Sequence, residues 1–137
     1  MFQVTGEIDI VPPLTWSEVQ PTGFMAMDAA GVPQVPAGRF VRLVPTEELV
    51  DNLEGTLHRF TFASLAASDA QILSTDREIF RAQVAATIAA FPSHAFGGVT
   101  GVIRFRGDLI DDQWRIGVAP DGVTVRRQAA SITWVNV

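Results

Sequence analysis

Four arginines, Arg104, Arg106, Arg115 and Arg126, are the residues of this chain whose type and spacing come nearest to a binding site. Arg104 and Arg106 stand two apart, so on a strand they share one face. Arg115 and Arg126 fall in the next two strand-like stretches. If those strands are neighbours, the side chains line up as a basic stripe across the sheet. A guanidinium presents a rigid fork of donors suited to carboxylate and phosphate, so such a stripe would take an acidic partner or a phosphate-bearing ligand. The competing explanation is internal. Glu7 and Asp9 alternate in the same way on the first strand and could pair with the stripe, as surface ion pairs commonly do.

Other candidate chemistry is thinner. The two histidines, His58 and His94, lie in different elements, and no G-x-S-x-G elbow accompanies them. His94 follows the long helix, where a cation suits the C-terminal carbonyls. Asp108, Asp111 and Asp112 sit too irregularly for a calcium loop and read as turn residues. Glu47, Glu48, Asp51 and Glu54 read as a solvated hairpin face. The chain has no cysteine, which removes thiolate catalysis, disulfides and cysteine-ligated metal sites. All ten basic residues are arginine, so Schiff-base chemistry and a lysine-bearing phosphate loop are also removed. No catalytic residue, metal site or cofactor is expected, and the chain reads as non-enzymatic.

Charge narrows the partners further. The net charge is −5, with a balance of −6 over residues 1–70 (nine acids, three arginines) and +1 over residues 71–137 (six acids, seven arginines). An acidic chain of this kind is a poor nucleic-acid binder, because that binding depends on neutralising phosphates. No apolar run approaches the ~20 residues of a membrane span. The start, MFQVTGEIDI, alternates and carries acids, unlike a signal or transit peptide. A cytoplasmic protein is therefore expected, in the host cell if the chain is phage-encoded, with a virion location as the alternative.

The elements that must position the arginines follow from periodicity. Thr75 to Phe91 reads as a long helix: Thr75 and Glu78 have capping-box spacing, and Phe80, Val84, Ile88 and Phe91 recur on one face. Pro92 stops it. Its other face is rich in alanine (Ala82, Ala85, Ala86, Ala89, Ala90), a smooth surface that a second subunit could approach. Phe2 to Ile10 alternates strictly and reads as a strand ended by Pro12-Pro13, with Gly6 on its apolar side marking a bulge or a close approach. Thr15-Trp16-Ser17-Glu18 repeats the capping-box spacing and predicts a short helix over about 15–20. Residues 20–38 form a long Pro/Gly-rich loop that packs Phe24 and one methionine down, its GVPQVPAG end mobile.

Residues 40–66 favour a hairpin turning at 51–55 over a helix beginning at Pro45. After the long helix come a bent strand around Gly97, Gly98 and Gly101, strands around Trp114–Val118 and Val123–Arg126 joined by the Pro120-Asp121-Gly122 turn, and a last strand over 131–137. The result is a single α+β domain spanning 1–137. It has an antiparallel sheet of five to seven strands, with the long helix (about 75–91) and the short one (about 15–20) on one face. A ferredoxin-like or cystatin-like arrangement, extended at the C-terminus, is compatible with this order.

VTGEIDIVPPLTW near the start, EGTLHR in the middle, FPSHAFGGVTG after the helix, and DQWRIGV with the PDG turn resemble a small family of actinobacterial and actinophage proteins. The resemblance covers most of the chain discontinuously and includes no catalytic motif, so it implies origin and a coherent fold. With the composition, it leads to an accessory protein, phage-encoded, that works by protein–protein contact with a host or self partner. Self-association would use the alanine-rich helix face or the terminal strand. The alternatives are a minor virion component, or a small-molecule-binding or hydrolytic domain with a cleft under the 20–38 loop.

Overall fold

A computed structural model describes residues 1–107, 113–119, 122–128 and 134–136. Its centre is β1 (Phe2–Thr15), which pairs antiparallel with β5 (Gly55–Ala67) on one side and β7 (Ala95–Arg106) on the other. From β7 the sheet continues through β8 (Gln113–Ala119), β9 (Gly122–Gln128) and β10 (Trp134–Asn136). From β5 it ends at β4 (Val41–Asn52), so the strand order is β10-β9-β8-β7-β1-β5-β4. A two-residue strand, β6 (Gln71–Ile72), adds to the start of β1. The chain is thus α+β: a large antiparallel sheet with α1 (Trp16–Val19) and α2 (Arg77–Ala90) packed on its apolar face. No helix among the described residues is long and apolar enough to cross a membrane.

The alternation of β1 sorts its side chains as the sequence predicts. Phe2, Val4, Ile8 and Ile10 are buried, while Gln3, Thr5 and Glu7 are exposed. The prolines do not end the strand. β1 continues through Pro12 and Pro13 to Thr15, its register against β5 shifting between Asp9 and Leu14. A kinked strand accommodates prolines where it gives up ladder hydrogen bonds.

α2 seats its apolar stripe on the sheet. Phe80 and Val84 are fully buried, Phe91 is buried and Ile88 is half-buried. Phe80 meets Phe105 of β7 edge to face at 5.0 Å between centroids, and Phe105 meets Phe2 at 6.0 Å. α2 also lies against β4 and β9, near opposite ends of the strand order, so the sheet curls around it. The expected Thr75–Glu78 capping box is not formed. The chain enters through a 3-10 turn, Ser74–Asp76, and the Glu78 carboxylate accepts instead from Arg81 Nε at 3.1 Å. The i,i+3 spacing on the helix surface gives Glu78 a cationic partner that competes with the cap.

Residues 20–38 hold more structure than their composition suggests. A 3-10 turn at Gln20–Thr22 leads to a small hairpin, β2 (Ala26–Met27) with β3 (Pro33–Gln34). Asp28 closes it by accepting from the amides of Ala30 (2.8 Å) and Val32 (3.0 Å). Met25 is buried and Phe24 packs on Phe91 at 6.2 Å, as the sequence predicts. The GVPQVPAG stretch, expected to be mobile, contains β3, and its Pro33 is buried. The loop is also tied down by Arg39, which stacks on Phe24 at 4.4 Å and donates to Val41 O and Thr87 Oγ1, both at 3.1 Å. Burial lowers the Arg39 pKa from the usual arginine value.

β1 and β7 approach closely at Gly6. Its φ is +94°, and a Cβ built there would sit 2.3 Å from the carbonyl oxygen of Val102 on β7. The β1–β7 register shifts between Gly6 and Glu7, the bulge that the glycine signalled. Gly6→Ala adds left-handed strain and a backbone clash together, so it is expected to lower unfolding free energy by about 2–4 kcal/mol. Urea denaturation of the variant measures this directly.

Candidate binding face and histidine cleft

The strand order makes neighbours of the strands that carry the arginines. Arg104 of β7 stands directly opposite Arg115 of β8, and Arg115 opposite Arg126 of β9. Arg106 lies two residues along β7 from Arg104, on the same outer face, opposite Gln113. The four positions therefore form the cross-strand stripe that their spacing suggests; Arg126 is placed by its backbone alone. Arg104 and Arg106 are exposed, and no ion pair holds either of them among the described residues. On β1 the residues facing them are Thr5 and Gln3, which carry no charge. Glu7 falls opposite Gly101, and its carboxylate accepts from Ser64 Oγ at 3.1 Å. The internal pairing of Glu7 with the arginines is therefore not what this carboxylate does.

Like charges directly opposite on a sheet are unfavourable. At about 5 Å in water-like surroundings the repulsion is under ~1 kcal/mol, and long side chains splay to reduce it. The sheet therefore tolerates arginines placed opposite one another. It leaves Arg104 and Arg106 exposed, with guanidinium forks suited to carboxylates.

The acidic cluster lies at the far end of the sheet. β4 and β5 form a hairpin from Val41↔Ala67 to Asn52↔Gly55, turning at Leu53 and Glu54, in agreement with the sequence. Here Glu48 binds Arg59 at 2.7 Å, Glu47 binds His58, and Thr56 Oγ1 donates to Asp51 at 2.9 Å. His58 is thus part of an exposed strand pair.

His94 has a different setting. An open cleft of about 310 Å³ lies where α1 meets the end of α2, lined by Ser17, Glu18, Pro21, Phe91, Ser93 and His94 among others. His94 Nε2 is 3.2 Å from Glu18 Oε2, and the imidazole side chain is only 9% exposed. Its Nδ1 is buried without a hydrogen-bond partner, and the ring meets Phe91 edge to face at 6.1 Å. Glu18 is the acid of the α1 capping box. Its Oε1 accepts from the Thr15 amide and hydroxyl, each at 3.1 Å, and the Thr15 hydroxyl accepts from the Glu18 amide at 3.3 Å. One carboxylate thus caps α1 and clasps the chain beyond α2.

The sequence marks the cap through Thr15-x-x-Glu18, but nothing local signals that His94 would join it. The Arg77–Trp114 stack, at 3.4 Å, was likewise invisible. Among the described residues no group of three or more His, Cys, Asp or Glu is placed to hold a metal ion. The residues 108–112, Pro120 and Asp121 lie outside the described residues, as do Ser131 to Thr133 and Val137 of the expected last strand. Compared with protein-family models, curated proteins and solved structures, the chain matches none of them.

The clasp gives a stability prediction. Glu18→Ala removes both the cap and the His94 contact, and is expected to cost about 1–3 kcal/mol. Glu18→Gln, which keeps an acceptor for Thr15, should cost less. Thermal unfolding of the pair checks the order.

Proposed function

We propose that the protein is a non-enzymatic accessory protein acting through protein–protein contact, and that the outer face of β7–β8–β9 receives an acidic segment of its partner. The observation that carries this reading is the register: Arg104, Arg115 and Arg126 stand in one row across three strands, flanked by Arg106. Protein–protein contact suits such a face better than catalysis does. Its Arg104 and Arg106 are exposed, and among the described residues its charged positions carry one sign. Arginine is enriched at interfaces because its apolar stem and planar head supply contact area and paired hydrogen bonds together. The sequence resemblance to actinobacterial and actinophage proteins adds a setting, a phage-encoded chain meeting a host protein. The overall negative charge directs non-specific contacts away from nucleic acid and leaves the arginine row as a local exception.

The His94–Glu18 cleft supports a second reading, a small-molecule site beside the start of the 20–38 segment. It is the weaker of the two, because Glu18 is already engaged by Thr15 and His94, and Nδ1 is sealed from the cleft.

The test uses a poly-glutamate peptide as the acidic probe, with binding followed by fluorescence anisotropy. The protein is expected to bind it more weakly as salt rises. Arg104→Glu with Arg106→Glu should weaken binding by at least about tenfold while the urea midpoint stays put. No binding by the unaltered protein, or a variant that loses stability but keeps its affinity, overturns the reading.

A further inference from the structure

The β4–β5 hairpin outruns the sheet that supports it. β1 pairs with β5 at Thr61, Phe62 and Ser64 to Ala66, so residues 55–60 of β5 have no β1 partner. The part of β4 opposite them lies at the sheet edge. Residues 46–59 are an arm of two strands with almost every described side chain exposed. An isolated two-stranded hairpin is marginal in water. This one also exposes large apolar groups: Leu49 at 62% on one face, Leu57 at 57% beside Val50 on the other, and Leu53 fully exposed at the turn. Interleaved with them are four carboxylates, Glu47, Glu48, Asp51 and Glu54, against Arg59 and His58.

That combination is the complement of the arginine row. An arginine side chain offers an apolar stem and a cationic fork, so a surface of arginines receives leucine and carboxylate together. Arg104 and Arg106 lie on β7, two strands from the β5 root of the arm and on the outer face, and no acid of the chain neutralises them among the described residues. We infer that the acidic, leucine-bearing arm of one copy docks on the Arg104/Arg106/Arg115 face of a second copy. This rests on the reading of that face as an acid-binding surface and names its partner. Because arm and face are different patches, the contact is heterologous and continues into a ring or an open chain.

Sedimentation velocity on the full chain tests it. In low salt the average mass is expected to rise with concentration, passing the dimer, and to fall back in high salt. An arm variant, Leu49→Ser with Leu57→Ser and Asp51→Arg, should weaken association by at least about tenfold, and so should a face variant, Arg104→Glu with Arg106→Glu. Circular dichroism confirms that each is folded. Mixed together, the two variants should form a dimer and stop there, since one intact arm meets one intact face. A chain that stays monomeric in low salt at every concentration overturns the inference. A face variant that associates as strongly as the unaltered chain also overturns it, because arms would then be meeting arms. Poly-glutamate binding by a monomeric chain would sink self-association alone and leave the acid-binding face standing. The loss of both would sink the two together.

Discussion

The close approach of β1 and β7 at Gly6 is the constraint on which the rest of the sheet depends. Among the described residues β1 alone links the β4–β5 hairpin to the β7–β10 meander, and the missing Cβ at Gly6 lets Val102 O come in. The bulge it creates leaves Phe2 and Val4 on the core face, where Phe2 reaches Phe105 and, through it, Phe80 of α2. The same stretch of pairing sets Thr5 against Arg104 and Gln3 against Arg106. A slip of one residue would turn every side chain of β1 to the other face. The fold of the core and the composition of the outer surface therefore hang on one contact.

That surface divides the molecule electrostatically. The arginine row lies on β7, β8 and β9, whereas Glu47, Glu48, Asp51 and Glu54 lie on the hairpin at the opposite end. Exposed charges this far apart attract each other little in salt, since screening acts over ~10 Å. Separation of this kind does little for folding. It makes two surfaces of opposite sign available to other molecules, and the acidic one is apolar as well.

Much of this was legible in the sequence, and the physical reason is locality. Strict alternation gave β1, a 3.6-residue period gave α2, and turn residues gave the β4–β5 hairpin, because each signal lies within one element. The arginine row was legible too, since Arg104, Arg115 and Arg126 sit on consecutive strands that pair in order. Contacts between distant elements were not. Glu18 with His94 and Arg39 with Thr87 are joined only by the tertiary fold. The cap at Thr75 shows the opposite failure, where a correct local pattern lost to Arg81 one turn along the helix. At residues 20–38, glycine and proline content suggested looseness, but the hydrogen bonds to Asp28 and the stack of Arg39 on Phe24 order it.

The outer face of β7 and β8 is proposed to meet an acidic partner. Amide hydrogen exchange, read residue by residue with and without poly-glutamate, tests it most directly. Added protection and shifted signals are expected around Arg104, Arg106 and Arg115, with the Glu18–His94 cleft unchanged. Protection centred on that cleft or on the alanine face of α2, with none on β7 and β8, would contradict it.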